Sequence, residues 1–95
     1  MSKGNRVVAE TAELIVRDPE ILEGKPFLAG TRMGIHSVIG YWQTYDGDME
    51  RILREFPHLT QEQVDAALDF YEGHRQEIDE ILRRNRLSYE RGPAR

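Results

Sequence analysis

Gly47–Tyr71, GDMERILREFPHLTQEQVDAALDFY, is the stretch that decides how the chain is read. It predicts a helix, a tight corner and a second helix. Asp48 stands where an N-cap belongs. Met49, Ile52, Leu53 and Phe56 then recur at the spacing of one buried helical face. Pro57 stops that helix, because the residue before a proline is pushed out of the α region. Thr60 opens the next one. Its hydroxyl can accept from the Gln63 amide while the Gln63 side chain reaches back, which is the capping box T-x-x-Q. Leu59 and Val64 have the spacing of a hydrophobic staple. Val64, Ala67, Leu68 and Tyr71 make the inward face. Two amphipathic helices across a four-residue corner form the helix-turn-helix pattern.

Upstream, residues 1–12 read as a flexible arm. Leu14-Ile15-Val16 and Phe27-Leu28-Ala29 are short strand candidates, separated by breaks at Asp18-Pro19 and Gly24-Lys25-Pro26. A hairpin this small is marginal alone and needs helices beneath it or a second subunit. Gly30 supplies a turn angle that other residues resist, and Thr31 is a turn or capping residue. Ile35, Val38, Ile39 and Trp42 predict a helix that ends at Tyr45-Asp46-Gly47. Downstream, Gly73 either bends one long helix or separates two. Ile78, Ile81 and Leu82 continue an apolar stripe that fades beyond Asn85. The expectation is a mainly α protein: a three-helix helix-turn-helix core with a β-hairpin over residues 13–73, then a C-terminal helix and basic tail over 74–95.

The chain has 95 residues and suits one domain. It is 39% hydrophobic and 32% charged, a polar composition whose margin of stability a dimer or a partner would widen. There is no cysteine, so disulfides, Cys-based metal sites and thiol catalysis are excluded. That fits a cytoplasmic protein. No apolar run is long enough for a membrane, and MSKGNRVVAE lacks the core of a signal peptide. Charge is uneven: through residue 82 there are eight Lys/Arg against sixteen Asp/Glu, and after it five arginines against Glu90 alone. An acidic body with a basic end suggests two different contact surfaces.

Several segments together resemble domain-of-unknown-function family 433, small bacterial proteins regarded as antitoxin-like. They are Asp18-Pro19-Glu20-Ile21, Gly24-Lys25-Pro26, Gly30-Thr31-Arg32, Ile52-Leu53 through Phe56-Pro57 to Leu59-Thr60, and Val64 through Ala66-Ala67-Leu68 to Tyr71. Tyr71, His74, Glu77, Ile78 and Asp79 look like a variant of a further family element. The resemblance runs from about residue 14 to residue 82. It implies a winged-helix-like or homeodomain-like fold, no enzymatic activity, and a cognate PIN-like ribonuclease toxin that the small protein inhibits and whose operon it represses. Tyr41–Tyr45, YWQTY, departs from the smaller aliphatic residues common in the family and suggests a larger buried contact.

The residues themselves argue against catalysis. His36, His58 and His74 stand far apart, and neither a metal-ligand pair, a nucleophile elbow nor a phosphate-binding glycine loop is present. No cofactor or metal is expected. For DNA, the second helix of the pair carries Glu62, Asp65, Asp69 and Glu72 as one outward acidic stripe, whereas DNA affinity comes from cations. Gln61 and Gln63 are the base-reading candidates, although Gln63 is equally a cap. Lys3, Arg6, Arg51 and Arg54 are candidates for phosphate or for plain solubility. Arg32 is read as a forked pair with Asp18 that locks hairpin to helix. Asp18, Gly30, Thr31, Arg32 and Thr60 are therefore scaffold candidates.

The arginine-rich end is the sharper prospect. PIN-like nucleases, by the same resemblance, hold metal with clustered carboxylates, and a guanidinium forks well onto such oxygens. Arg83, Arg84, Arg86 and Arg91 would supply that contact. Ile78, Ile81, Leu82 and Tyr89 would lie in a groove of the toxin, unless the stripe packs on its own domain or a second copy. Three functional expectations follow: an antitoxin, as homodimer or hetero-oligomer with its toxin; a stand-alone repressor of operator DNA; or a non-catalytic dimeric interaction module.

Overall fold

The computed structural model describes residues 14–91, with residues 87–91 as helical backbone only. Strand β1 (Ile15–Val16) pairs antiparallel with β2 (Phe27–Leu28), placing Ile15 opposite Leu28 and Val16 opposite Phe27. The link between them passes through a left-handed turn, with φ of 52° at Leu22, 58° at Glu23 and 84° at Gly24. Gly24 takes this conformation freely, but the two preceding side chains each cost roughly 1–2 kcal/mol there. Hydrogen bonds donated by Gly24 N–H to Ile21 O and by Lys25 N–H to Leu22 O hold the turn closed.

Four helices follow: α1 (Ile35–Thr44), α2 (Met49–Glu55), α3 (Gln61–Gly73) and α4 (Arg75–Arg91). The described chain is thus mainly helical with one small two-stranded sheet. The local signals in the sequence act as expected at the helix ends. The Asp48 carboxylate accepts from the Arg51 amide at 3.1 Å. Gln63 N–H donates to Thr60 Oγ1 at 3.1 Å while Thr60 N–H donates to Gln63 Oε1 at 2.9 Å, completing the capping box. Leu59 and Val64 are both buried beside it. Helix α1 ends in a Schellman arrangement, with Gly47 N–H on Trp42 O and Asp46 N–H on Gln43 O. The break at Gly73 separates two helices: His74 leaves helical geometry, and its ring lies flat on Phe70 with centroids 3.8 Å apart.

The core is centred on α1. Ile35, Val38 and Ile39 are almost fully buried, together with Leu28, Ile52, Val64, Ala67 and Ile78. Burying each large aliphatic side chain is worth about 1.5–3 kcal/mol. Helix α1 packs on both α3 and α4, and β2 lies against it. The hairpin therefore gets the helical support it requires. Helix α4, however, is not an extension of a three-helix core. Ile78 and Ile81 are core residues of this same chain, so the first half of α4 closes the domain.

Two features of the packing lie beyond local sequence signals. Arg17, just after β1, forks onto Glu77 near the start of α4, with Nη1 donating to Oε2 at 2.7 Å and Nη2 to Oε1 at 3.0 Å. The hydrogen bond from Arg17 holds the Glu77 carboxyl below its ordinary range. Both side chains are more than a third exposed, so the pair is worth at most about 1 kcal/mol. The second is His36, which is 9% exposed and has its Nδ1 buried without a hydrogen-bond partner among the described residues. A Cβ added at Gly34, the N-cap of α1, would lie 2.7 Å from that Nδ1. The chain needs glycine at this point because the imidazole fills the space.

Burial, and secondarily the charge of Lys25, pushes the His36 pKa below its ordinary 6.5. Its neutral burial therefore contributes fully above that value, and the contribution is lost as pH falls through the lowered folded value. The urea midpoint should drop between about pH 7.5 and about pH 5.5, and His36→Gln should remove part of that drop. An unchanged pH profile in the variant would count against this assignment. Glu77→Gln should cost no more than about 1 kcal/mol, with the loss shrinking at high salt in paired denaturation curves.

Candidate functional site

The outer surface divides by charge along two helices. On α3, Glu62, Asp65, Asp69 and Glu72 are all exposed, as the periodicity requires when Val64 and Ala67 face the core. Gln61 is exposed beside them, whereas Gln63 is occupied by the capping box. Arg51 on α2 lies over the Tyr45 ring at 4.4 Å and reaches Glu55 at 3.9 Å, so it is tied to its own surroundings. Arg54 is exposed on the same helix. Lys3 and Arg6 lie outside the described residues. Of the four proposed phosphate cations, Arg51 and Arg54 are the two that fall among the described residues.

The other face is the C-terminal half of α4. Ile78 and Ile81 turn inward, which carries Arg83, Arg84 and Arg86 to solvent. Glu80 binds two of them: Arg83 Nη2 donates to Oε2 at 2.6 Å, and Arg84 Nε donates to the same oxygen at 2.9 Å. Hydrogen bonds from Arg83 and then Arg84 hold the Glu80 carboxyl below its ordinary range. The two guanidinium groups are fanned around one exposed carboxylate. The side chains of Tyr89 and Arg91 lie outside the described residues.

Two expectations need correction. Ile78 and Ile81 are not a docking stripe, because both are buried against this chain's own core. Leu82 is only half-buried and stays accessible at the edge. Arg32 does not pair with Asp18. Asp18 Oδ1 instead accepts from the Glu20 amide at 2.9 Å, closing the Asp-Pro turn, and Arg32 is exposed. Thr31 is a turn residue: its hydroxyl donates to Leu28 O at 2.8 Å and accepts from Met33 N–H at 2.9 Å. Gly30 beside it has a φ of 79°, and Thr60 is the cap of α3.

Sequence reasoning overlooked an open groove of about 730 Å³ between α1 and α4. Gly40, Tyr41, Gln43, Thr44, Leu82, Asn85 and Arg86 line it. Gly40 faces Leu82 across the groove, where a Cβ would make an ordinary 3.5 Å contact with Leu82 Cδ2. Tyr41 is the large apolar side chain left exposed among the described residues, at 38%. Its ring leans on Phe56 with centroids 4.6 Å apart. The unusual aromatic run Tyr41–Tyr45 was the only sequence signal for this place.

Among the described residues, no group of three or more His, Asp or Glu side chains is arranged to hold a metal. None of the described helices is long and apolar enough to cross a membrane.

The fold is similar to the crystal structure of a DUF433 member protein from Anabaena variabilis, with a TM-score of 0.68. That match covers 83% of this chain and 77% of the other at 23% identity, and so speaks for the fold. No curated protein matches the chain. The family described as protein of unknown function (DUF433) matches residues 15–71, which run from β1 to the last turns of α3. The chain belongs to the DUF433 family.

Proposed function

We propose that this protein is the antitoxin of a type II toxin–antitoxin pair and neutralises a PIN-like ribonuclease through the outer face of α4. The observation that carries this reading is the opposition of the two surfaces. The arginines of α4 are exposed on a helix whose root is anchored in the core, while α3 offers an outward face of carboxylates. A nuclease that binds metal with clustered carboxylates presents the complementary charge. Arg83 and Arg84 would exchange Glu80 for those oxygens, and a forked guanidinium there would occupy the place of the metal.

In this reading the pair α2–α3 is a helix-turn-helix that serves as scaffold. Phosphate would meet Glu62, Asp65, Asp69 and Glu72 at the surface where such a motif usually touches DNA, and the repulsion opposes binding by the chain alone. Operator binding would then depend on positive surface contributed by a dimer or by the toxin.

The test uses the purified product of the adjacent gene, assayed for ribonuclease activity with and without this chain. Truncation before α4 is unsuitable, because it would remove Ile78 and Ile81 from the core. Exposed-site variants avoid that problem. Arg83→Ala with Arg84→Ala and Arg86→Ala should raise the concentration for half-inhibition at least about tenfold while the thermal midpoint stays within a few degrees. Equal inhibition by the triple variant would reject the arginine mechanism. Absence of any complex with the wild-type chain would reject the antitoxin reading.

A further inference from the structure

The α1–α4 groove lies beside Arg83 and Arg84 and shares Arg86 with the arginine face. We infer that this groove seats an apolar side chain of the same acidic partner, with Arg86 on its rim taking a neighbouring carboxylate. The inference rests on the antitoxin reading and deepens it by specifying a second anchor.

Three observations carry it. The first is the shape and composition of the groove. Leu82 and Tyr41 provide apolar surface, and Gly40 leaves the helix backbone bare between them. A groove of this kind returns free energy only when an apolar group fills it.

The second is its charge. Helix α1 carries no Lys, Arg, Asp or Glu from Ile35 to Thr44, and of the lining residues Arg86 alone is charged. A segment that brings an apolar side chain next to a carboxylate is complementary to that one lining cation. A nucleic acid fits less well. Its phosphates would find one lining cation, and its affinity requires several.

The third is rigidity. Tyr41 packs on Phe56 and lies 6.1 Å from the Tyr45 ring, so the aromatic wall is braced before any partner arrives. Little side-chain entropy remains to be lost there on binding. Rigid tyrosine and arginine side by side are also the residue types that dominate binding energy at protein interfaces.

The experiment measures binding of the adjacent gene's product to the full chain by calorimetry, using variants at exposed positions. Asn85→Glu places an acid in the groove and should weaken binding at least about tenfold, whereas Asn85→Lys should leave it unchanged or tighter. Tyr41→Ala should weaken it by a similar factor with circular dichroism unchanged. If wild type binds, an Arg83→Ala with Arg84→Ala double variant is weakened and the groove variants bind like wild type, then the groove inference falls and the antitoxin reading stands. If wild type does not bind, both fall. Labelled poly(U) binding that responds to Asn85→Glu would overturn the protein occupant. So would a dimer of the chain alone, seen in sedimentation, that Asn85→Glu dissociates.

Discussion

Everything in this domain depends on burying one helix from several sides. Ile35, Val38 and Ile39 leave α1 no stable arrangement unless the hairpin, α2, α3 and α4 all close on it. That constraint explains the glycine that precedes the helix. Gly34 gives way to the His36 ring. It also explains why a polar imidazole is tolerated inside. His36 enters with the first turn of α1, and its buried Nδ1 carries a desolvation cost of about 1–3 kcal/mol that the surrounding aliphatic packing offsets.

The same constraint organises the outer surface. Once α3 and α4 turn their aliphatic stripes toward α1, their charged residues have a fixed direction, acids outward on α3 and arginines outward on α4. Tyr71 Oη donates to Asp79 at 2.7 Å and links the two helices, and the hydrogen bond raises the Tyr71 pKa. The Arg17–Glu77 fork ties the start of α4 to the end of β1. Helix α4 is thereby held at its root while its C-terminal half carries cations beyond the core. The first half of the helix belongs to folding, and the second half is the part we assign to a partner.

The sequence was most legible where structure is local. Asp48, Thr60, Gln63, Pro57 and Gly47 act within a few residues of themselves, so each signal could be read directly and each is in its expected place. Non-local arrangements were not legible in that way. Arg17 and Glu77 are sixty positions apart, and neither carries a local signal of the other. The proposed Asp18–Arg32 pair failed because Asp18 had a nearer donor in its own turn. The stripe Ile78, Ile81 and Leu82 was correctly periodic, but periodicity does not say what covers a face. The chain's own core covers Ile78 and Ile81 and leaves Leu82 at the groove. The groove needs residues from α1 and α4 together, so only the folded chain reveals it.

The central claim is that function lies on the outer half of α4 and the adjoining edge of α1. The outward face of α3 is given no part in it. Amide hydrogen exchange on the chain with and without the product of the adjacent gene tests this most directly. The account predicts added protection in the segment from Glu80 to Arg86 and around Tyr41 to Thr44, with the segment from Gln61 to Glu72 unchanged. Protection confined to Gln61 through Glu72, with α4 unaffected, would contradict it.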